Sequence, residues 1–254
     1  MDVLVIIGIF LAGLGLGISL FAKGMYCLWK KHLIETITTS KIRSLAMGMV
    51  EVCGVVEAAK GNTLKSPLER KRCVYYEFLI EGYKSSGESQ RWHVIDRFTE
   101  GAYFFLKDST GAVLVEPSGA EVDIKPSYSC LSGPCRIIPD AVKGYMARND
   151  FPYKQRIYFS GELRFTESII QPGDKLYILG YAGDNPFVKE ASAKNSVEDI
   201  MIQGGGLGKV YFISDKPEKE TLDKLKTKWM GGVFGGSALI VFSLLAFMFF
   251  TNAI

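Results

Sequence analysis

Histidine is scarce in this chain: His32 and His93 are the only two among 254 residues. Serine or cysteine nucleophiles need an imidazole within hydrogen-bond reach, and neither histidine has the surroundings of a base. His32 falls in a lysine-rich stretch, and His93 alternates with Trp92 and Val94 in an expected strand, so both read as surface residues. Carboxylate pairs such as Glu116 with Glu121 fit a solvated face as well as a site. Zinc is missing its ligand spacing too. The five cysteines, Cys27, Cys53, Cys73, Cys130 and Cys135, do not form the two closely spaced pairs a tetrahedral site requires. The expectation is therefore no catalytic, cofactor-binding or metal-binding residue and no cofactor. An odd cysteine count without the density of a disulfide framework suits a reducing compartment, with a Cys130 to Cys135 bridge left open.

Charge of one sign is also missing. The net charge is only +3, and the basic excess gathers beside two apolar runs instead of forming a stripe, which excludes a nucleic-acid partner. Gly204-Gly205-Gly206-Leu207-Gly208 lacks the Lys-Ser/Thr of a phosphate loop and precedes a strand, so it reads as a turn.

Two long segments carry no charge at all. Val3 to Ala22 is uncharged for 20 residues, and Trp229 to Ile254 is uncharged throughout. At ~1.5 Å rise per residue each covers roughly the 30 Å of a bilayer core. A cleaved signal peptide would put Lys or Arg before its apolar run; Asp2 stands there and the basic residues follow, so the segment reads as retained. Lys23, Lys30, Lys31, Lys41 and Arg43 follow the first run, and Lys219, Lys224, Lys226 and Lys228 precede the second. The positive-inside rule then puts the middle of the chain in the cytoplasm of a two-span, multi-pass protein of the cell membrane. The same lysines attract anionic headgroups. Gly13 with Gly17, Gly231 with Gly235 and Gly232 with Gly236 have the spacing that lets spanning helices approach closely, within one chain or between copies.

Between the runs the period falls to two. Val50, Val52 and Gly54 alternate with Glu51, Cys53 and Val55, and Val74, Tyr76, Phe78 and Ile80 alternate with Tyr75, Glu77, Leu79 and Glu81, as half-buried strands do. Gly82 to Ser89 reads as a divider before a strand at Arg91 to Ile95, and Asp108 to Gly111 as a hairpin turn between Tyr103 to Leu106 and Val113 to Val115. Further strands are expected at Arg156 to Phe165, Lys175 to Tyr181 and Lys209 to Ser214, with Pro172-Gly173-Asp174 as a turn. Ile138 to Arg148 reads as a short helix with Asp140 near its start, suited to plugging a barrel end. The fold expected is mainly β, an antiparallel barrel or sandwich with a short helix, flanked by two transmembrane helices, and the barrel is preferred because it leaves no open edge. Tyr75, Tyr76, Trp92 and Tyr177 are expected to fill its core. The organisation read is 1–23 first span, 24–43 basic juxtamembrane segment, 44–220 β domain, 221–228 basic linker and 229–251 second span.

A dispersed, ordered set of short motifs resembles the GIDE domain family. It comprises Thr39 to Gly48, Ser66-Pro67-Leu68, Cys73 to Glu77, Trp92, Asp108 to Val115, Gly119-Ala120, Arg164 to Glu167, Pro172-Gly173-Asp174, Leu176 to Gly180 and Ile213 to Lys216. The resemblance implies a "beside a membrane" domain between two spans, as in the mitochondrial E3 ubiquitin or SUMO ligases MULAN and MAPL. Their zinc-binding RING follows the second span, and this sequence shows no RING cysteines before Ile254, so the expectation is a prokaryotic-type member with the binding part alone. The function expected is a membrane-anchored interaction or scaffold module without intrinsic catalysis. An E3 ubiquitin ligase adaptor is the alternative. The partners expected are the lipid bilayer and either a second protein or another copy through the glycine-bearing spans.

Overall fold

A computed structural model describes residues 3–59, 61–86, 89–132, 140–148, 162–188, 199–206, 209–216 and 218–252. These fall into a helical unit made from the two chain ends and a β unit over Thr39–Lys216. Three helices are present among the described residues: α1 (Val3–Thr36), α2 (Asp140–Arg148) and α3 (Glu218–Asn252).

In the helical unit, Ile7–Thr36 and Leu222–Phe249 are each long and apolar enough to cross a bilayer, with mean hydropathies of 1.7 and 2.1. α1 takes in both the first apolar run and the basic segment as far as Thr36, and the basic stretch 221–228 is part of α3. The two helices pair antiparallel through glycine. A Cβ on Gly232 would lie 2.6 Å from the Gly24 Cα, and one on Gly236 would lie 2.6 Å from the Phe21 nitrogen. Ser243 donates to the Phe10 carbonyl at 3.1 Å, and Phe10 stacks on Phe247 at 4.5 Å. In a bilayer, interhelical contact of this kind would rest on packing, because lipid is as apolar as the side chains. Gly231 and Gly235 meet nothing within 4 Å.

In the β unit, five strands close a barrel: β1 (Gly48–Ala58), β6 (Phe104–Lys107), β7 (Ala112–Val115), β12 (Ile200–Gln203) and β11 (Lys175–Asp184), with β11 returning to β1. The register sets Val52 against Ile178 and Gly54 against Leu176. Alternation then turns Val50, Val52, Val56, Leu106, Val113, Val115, Ile178 and Ile202 inward, all buried, each such side chain contributing ~1.5–3 kcal/mol. β13 (Phe212–Ser214) lies along β11 and carries β8 (Glu121–Asp123) on its far side.

The end of the barrel is plugged differently from the sequence expectation. Ile42, in a 3-10 turn at Ile42–Ser44, and Leu45 beside it join the barrel core. The turn is held by Asp108, which accepts from the Ile42 amide at 3.1 Å, and by Thr110, whose hydroxyl accepts from the Arg43 amide at 3.1 Å. α2 covers a second sheet instead. Its Val142 is fully buried with Phe78, Ile80, Leu163 and Phe165, and Tyr145 meets Phe78 edge-on at 4.9 Å. A nine-residue helix with an apolar stripe needs only a flat apolar face, and that sheet supplies one.

The second sheet runs β5 (Ser89–Gly101), β4 (Tyr75–Ser86), β10 (Leu163–Ile170), β9 (Tyr128–Ser132), with a small hairpin of β2 (Leu64–Lys65) and β3 (Arg72–Cys73) nearby in sequence. The divider expected at Gly82 to Ser89 is strand almost throughout: β4 passes Gly82 and pairs to Ser86. Gly82 is there for space, since a Cβ would come within 2.7 Å of Ile95. The strand expected at Arg156 to Phe165 begins at Leu163, and that expected at Lys209 to Ser214 is regular over Phe212–Ser214. Residues 156–161, Pro139, Cys135, Leu207 and Gly208 lie outside the described residues; Gly206 takes φ +85°, and its carbonyl accepts from the Lys209 amide at 3.2 Å.

Candidate functional site

One cleft in the β unit is lined by charged groups from three segments. β4 brings Tyr75 and Glu77, β5 brings Arg97, Thr99, Glu100 and Gly101, and the loop into β8 brings Pro117 to Val122, around about 470 Å³. Local sequence explains its shape. A Cβ on Gly101 would stand 2.5 Å from the Pro117 ring, so glycine lets the loop close on the strand end. Gly119 takes φ +76°, a left-handed value suited to glycine. The loop is fixed by the Ala120 amide on the Pro117 carbonyl at 3.2 Å and the Glu121 amide on the Tyr211 carbonyl at 2.8 Å. The Tyr211 hydroxyl donates to the Glu116 carbonyl.

The electrostatics are acidic. Glu77 and Glu121 line the cleft with one guanidinium, Arg97, which is 60% exposed and pairs with Glu77 at 3.0 Å, while Glu100, opposite Tyr76 in the register, turns its carboxylate to the other face of the strand pair. The Tyr76 hydroxyl donates to Glu100 at 2.5 Å. Burial, then that hydrogen bond, pushes the Tyr76 hydroxyl well above its usual range. Burial, followed by the charge of Glu77, pushes Tyr75 up to about 12. Both phenols stay protonated at neutral pH, leaving the carboxylates as the anionic groups. Such a cleft favours a cationic side chain, and the exposed backbone of its strand offers hydrogen bonds to a neighbour. β5 is an end strand of its sheet, with no strand on its outer side among the described residues.

The outward face of the same sheet holds Arg164 between Glu81, bonded at 2.6 and 2.8 Å, and the Trp92 ring, 4.6 Å away. Trp92 is thus half-buried under a cation, while Tyr75, Tyr76 and Tyr177 are buried. His32 and His93 are both exposed. Cys73 is fully buried, its thiol pushed up to about 12 by burial and then by Glu167 and Glu100. Among the described residues no group of three or more His, Cys, Asp or Glu is placed to hold a metal ion.

The GIDE family, described as E3 ubiquitin ligase, matches residues 76–247. The chain belongs to the GIDE family. The GIDE match opens inside β4, takes in Arg97 through Val122 of the cleft, and runs into α3. No curated protein and no solved structure matches the chain.

Sequence reasoning named Glu121 only as half of a carboxylate pair with Glu116. The fold separates their roles: Glu121 lines the cleft, whereas the Glu116 carboxylate accepts from Tyr103 at 3.4 Å. Glu77 was legible only as a strand residue, and Arg97 and Glu100 fell beyond the strand expected at Arg91 to Ile95, which in the fold continues to Gly101. The signal that would have drawn them out is the excess of charge at one end of β4 and β5, visible once Glu77 and Thr99 are known to be partners.

Proposed function

We propose that this GIDE protein is a membrane-anchored binding module whose β unit receives an extended basic segment of another protein along β5. Both long helices cross the bilayer in this reading, and the flanking lysines support a cytoplasmic β unit. One observation carries it: the acidic cleft lies at the end of a 13-residue edge strand. Strand addition supplies main-chain hydrogen bonds, and the carboxylates supply the preference for Lys or Arg. The module is a scaffold, without catalysis of its own.

Its test is binding of fluorescent extended peptides to the full-length protein in nanodiscs. A Lys-bearing peptide should bind at least tenfold more tightly than its Glu-bearing counterpart, and Glu77→Gln with Glu121→Gln should remove most of that difference. Equal affinity for the two peptides would sink the proposal.

The family description favours a second reading, in which the partner is part of a ubiquitin-ligation assembly and this chain is its adaptor. Reconstituted ubiquitin transfer that depends on this chain would support it; transfer at the same rate without the chain would count against it.

A further inference from the structure

In the helical unit a groove of about 680 Å³ runs beside the glycine crossing of α1 and α3, at the lysine-bearing end of the apolar runs. Its origin is local. Gly24 and Gly232 bring the two backbones into contact, and Gly231 has no side chain to fill the space that the crossing leaves beside it. Leu20 and Ala22 wall the groove and its lining is almost wholly apolar, but Lys23, Thr227 and Lys228 stand on its rim. Both lysines are exposed, and no carboxylate lines the groove. The volume falls in the ~300–1,000 Å³ range of small-ligand sites. Tyr26 and Trp29 on α1 and Trp229 on α3 lie at the same level, the aromatic belt expected at a membrane interface.

We infer that this groove binds one anionic phospholipid, its acyl chain against Leu20, Gly231 and Gly232 and its phosphate between Lys23 and Lys228. An apolar slot that opens toward two cations matches the two halves of such a molecule, and a zwitterionic lipid or a soluble anion would satisfy only one of them. The inference rests on the reading that both helices cross the membrane.

The experiment is native mass spectrometry of the full-length protein from nanodiscs of phosphatidylcholine with phosphatidylglycerol, after a carbonate-wash check that it has inserted. Failure to insert would defeat the membrane reading itself; the remaining outcomes concern the groove. One phosphatidylglycerol per chain should survive delipidation in preference to phosphatidylcholine. Lys23→Gln with Lys228→Gln should lower its retention, roughly fivefold for each lysine. Gly231→Leu, at a position with open space around it, should fill the slot and lower retention without unpairing the helices. Equal retention of the two lipids, no change in Gly231→Leu, or a dimer mass with no lipid bound would each overturn the inference.

Discussion

Glu167 is fully buried, yet its carboxylate accepts the Leu68 amide at 2.7 Å and the Glu69 amide at 3.1 Å. Glu51, also fully buried, accepts from Thr39 at 2.5 Å and Tyr177 at 3.0 Å. Each acid ties a loop or a chain entry to a strand, and removing it strands the donors. Glu167→Ala should cost about 3 kcal/mol in chemical unfolding, with Glu167→Gln losing less because one acceptor remains. Neither role was legible in the sequence, where Glu51 between Val50 and Val52 and Glu167 between Thr166 and Ser168 both look like the wet side of a strand. Asp108 was legible as a turn residue. Burial would raise its carboxyl, but the Thr110 hydroxyl and the amides of Ile42, Thr110 and Gly111 outweigh that and hold it below its ordinary value. A group whose folded value is depressed stabilises above its unfolded value, ~3.9, and loses that contribution as pH falls through the folded one. Acid titrations of stability should therefore be shallower in Asp108→Asn than in the parent below about pH 4. Cysteine reactivity should divide as burial does: a maleimide at pH 8 should label exposed Cys53 and leave buried Cys73 unlabelled until the β unit unfolds.

Elements with their own periodicity could be read, and elements made by distant pairing could not. β1 and the first half of β4 follow from alternation alone, and the hairpin of β6 and β7 from Asp108 to Gly111. β8, β9 and β12 are three to five residues long and take their form from β13, β10 and β7, partners far along the chain. The Gly82 region misled because glycine marks turns and close approaches alike, and only the position of Ile95 distinguishes them. The same ambiguity runs through the helices. Gly232 is a contact and Gly235 is not, so Gly232→Leu, driving a side chain into the α1 backbone, should separate the helix pair and lower the melting temperature in detergent by several degrees. Gly235→Leu should leave it near the parent value. Equal effects from the two substitutions would mean that the helices do not meet at Gly24 and Gly232.

At the scale of the molecule, the chain divides into a helical unit from its two ends and a β unit from its middle. Barrel closure was expected from strand spacing, and it is present in the return of β11 to β1. The second sheet was not expected as a separate body, because β4 and β10 alternate in the same way as barrel strands and nothing in their spacing assigns them to a different layer. That sheet supplies one wall of the acidic cleft, so the site was hidden for the same reason. The most direct measurement is in-cell photo-crosslinking from Thr99, an exposed β5 residue in the cleft, in the full-length protein. Adducts with another protein through a Lys- or Arg-bearing peptide, diminished by Glu121→Gln, are the expected result. Adducts that are absent, or that carry no such residues and persist in Glu121→Gln, would contradict a binding role for this edge.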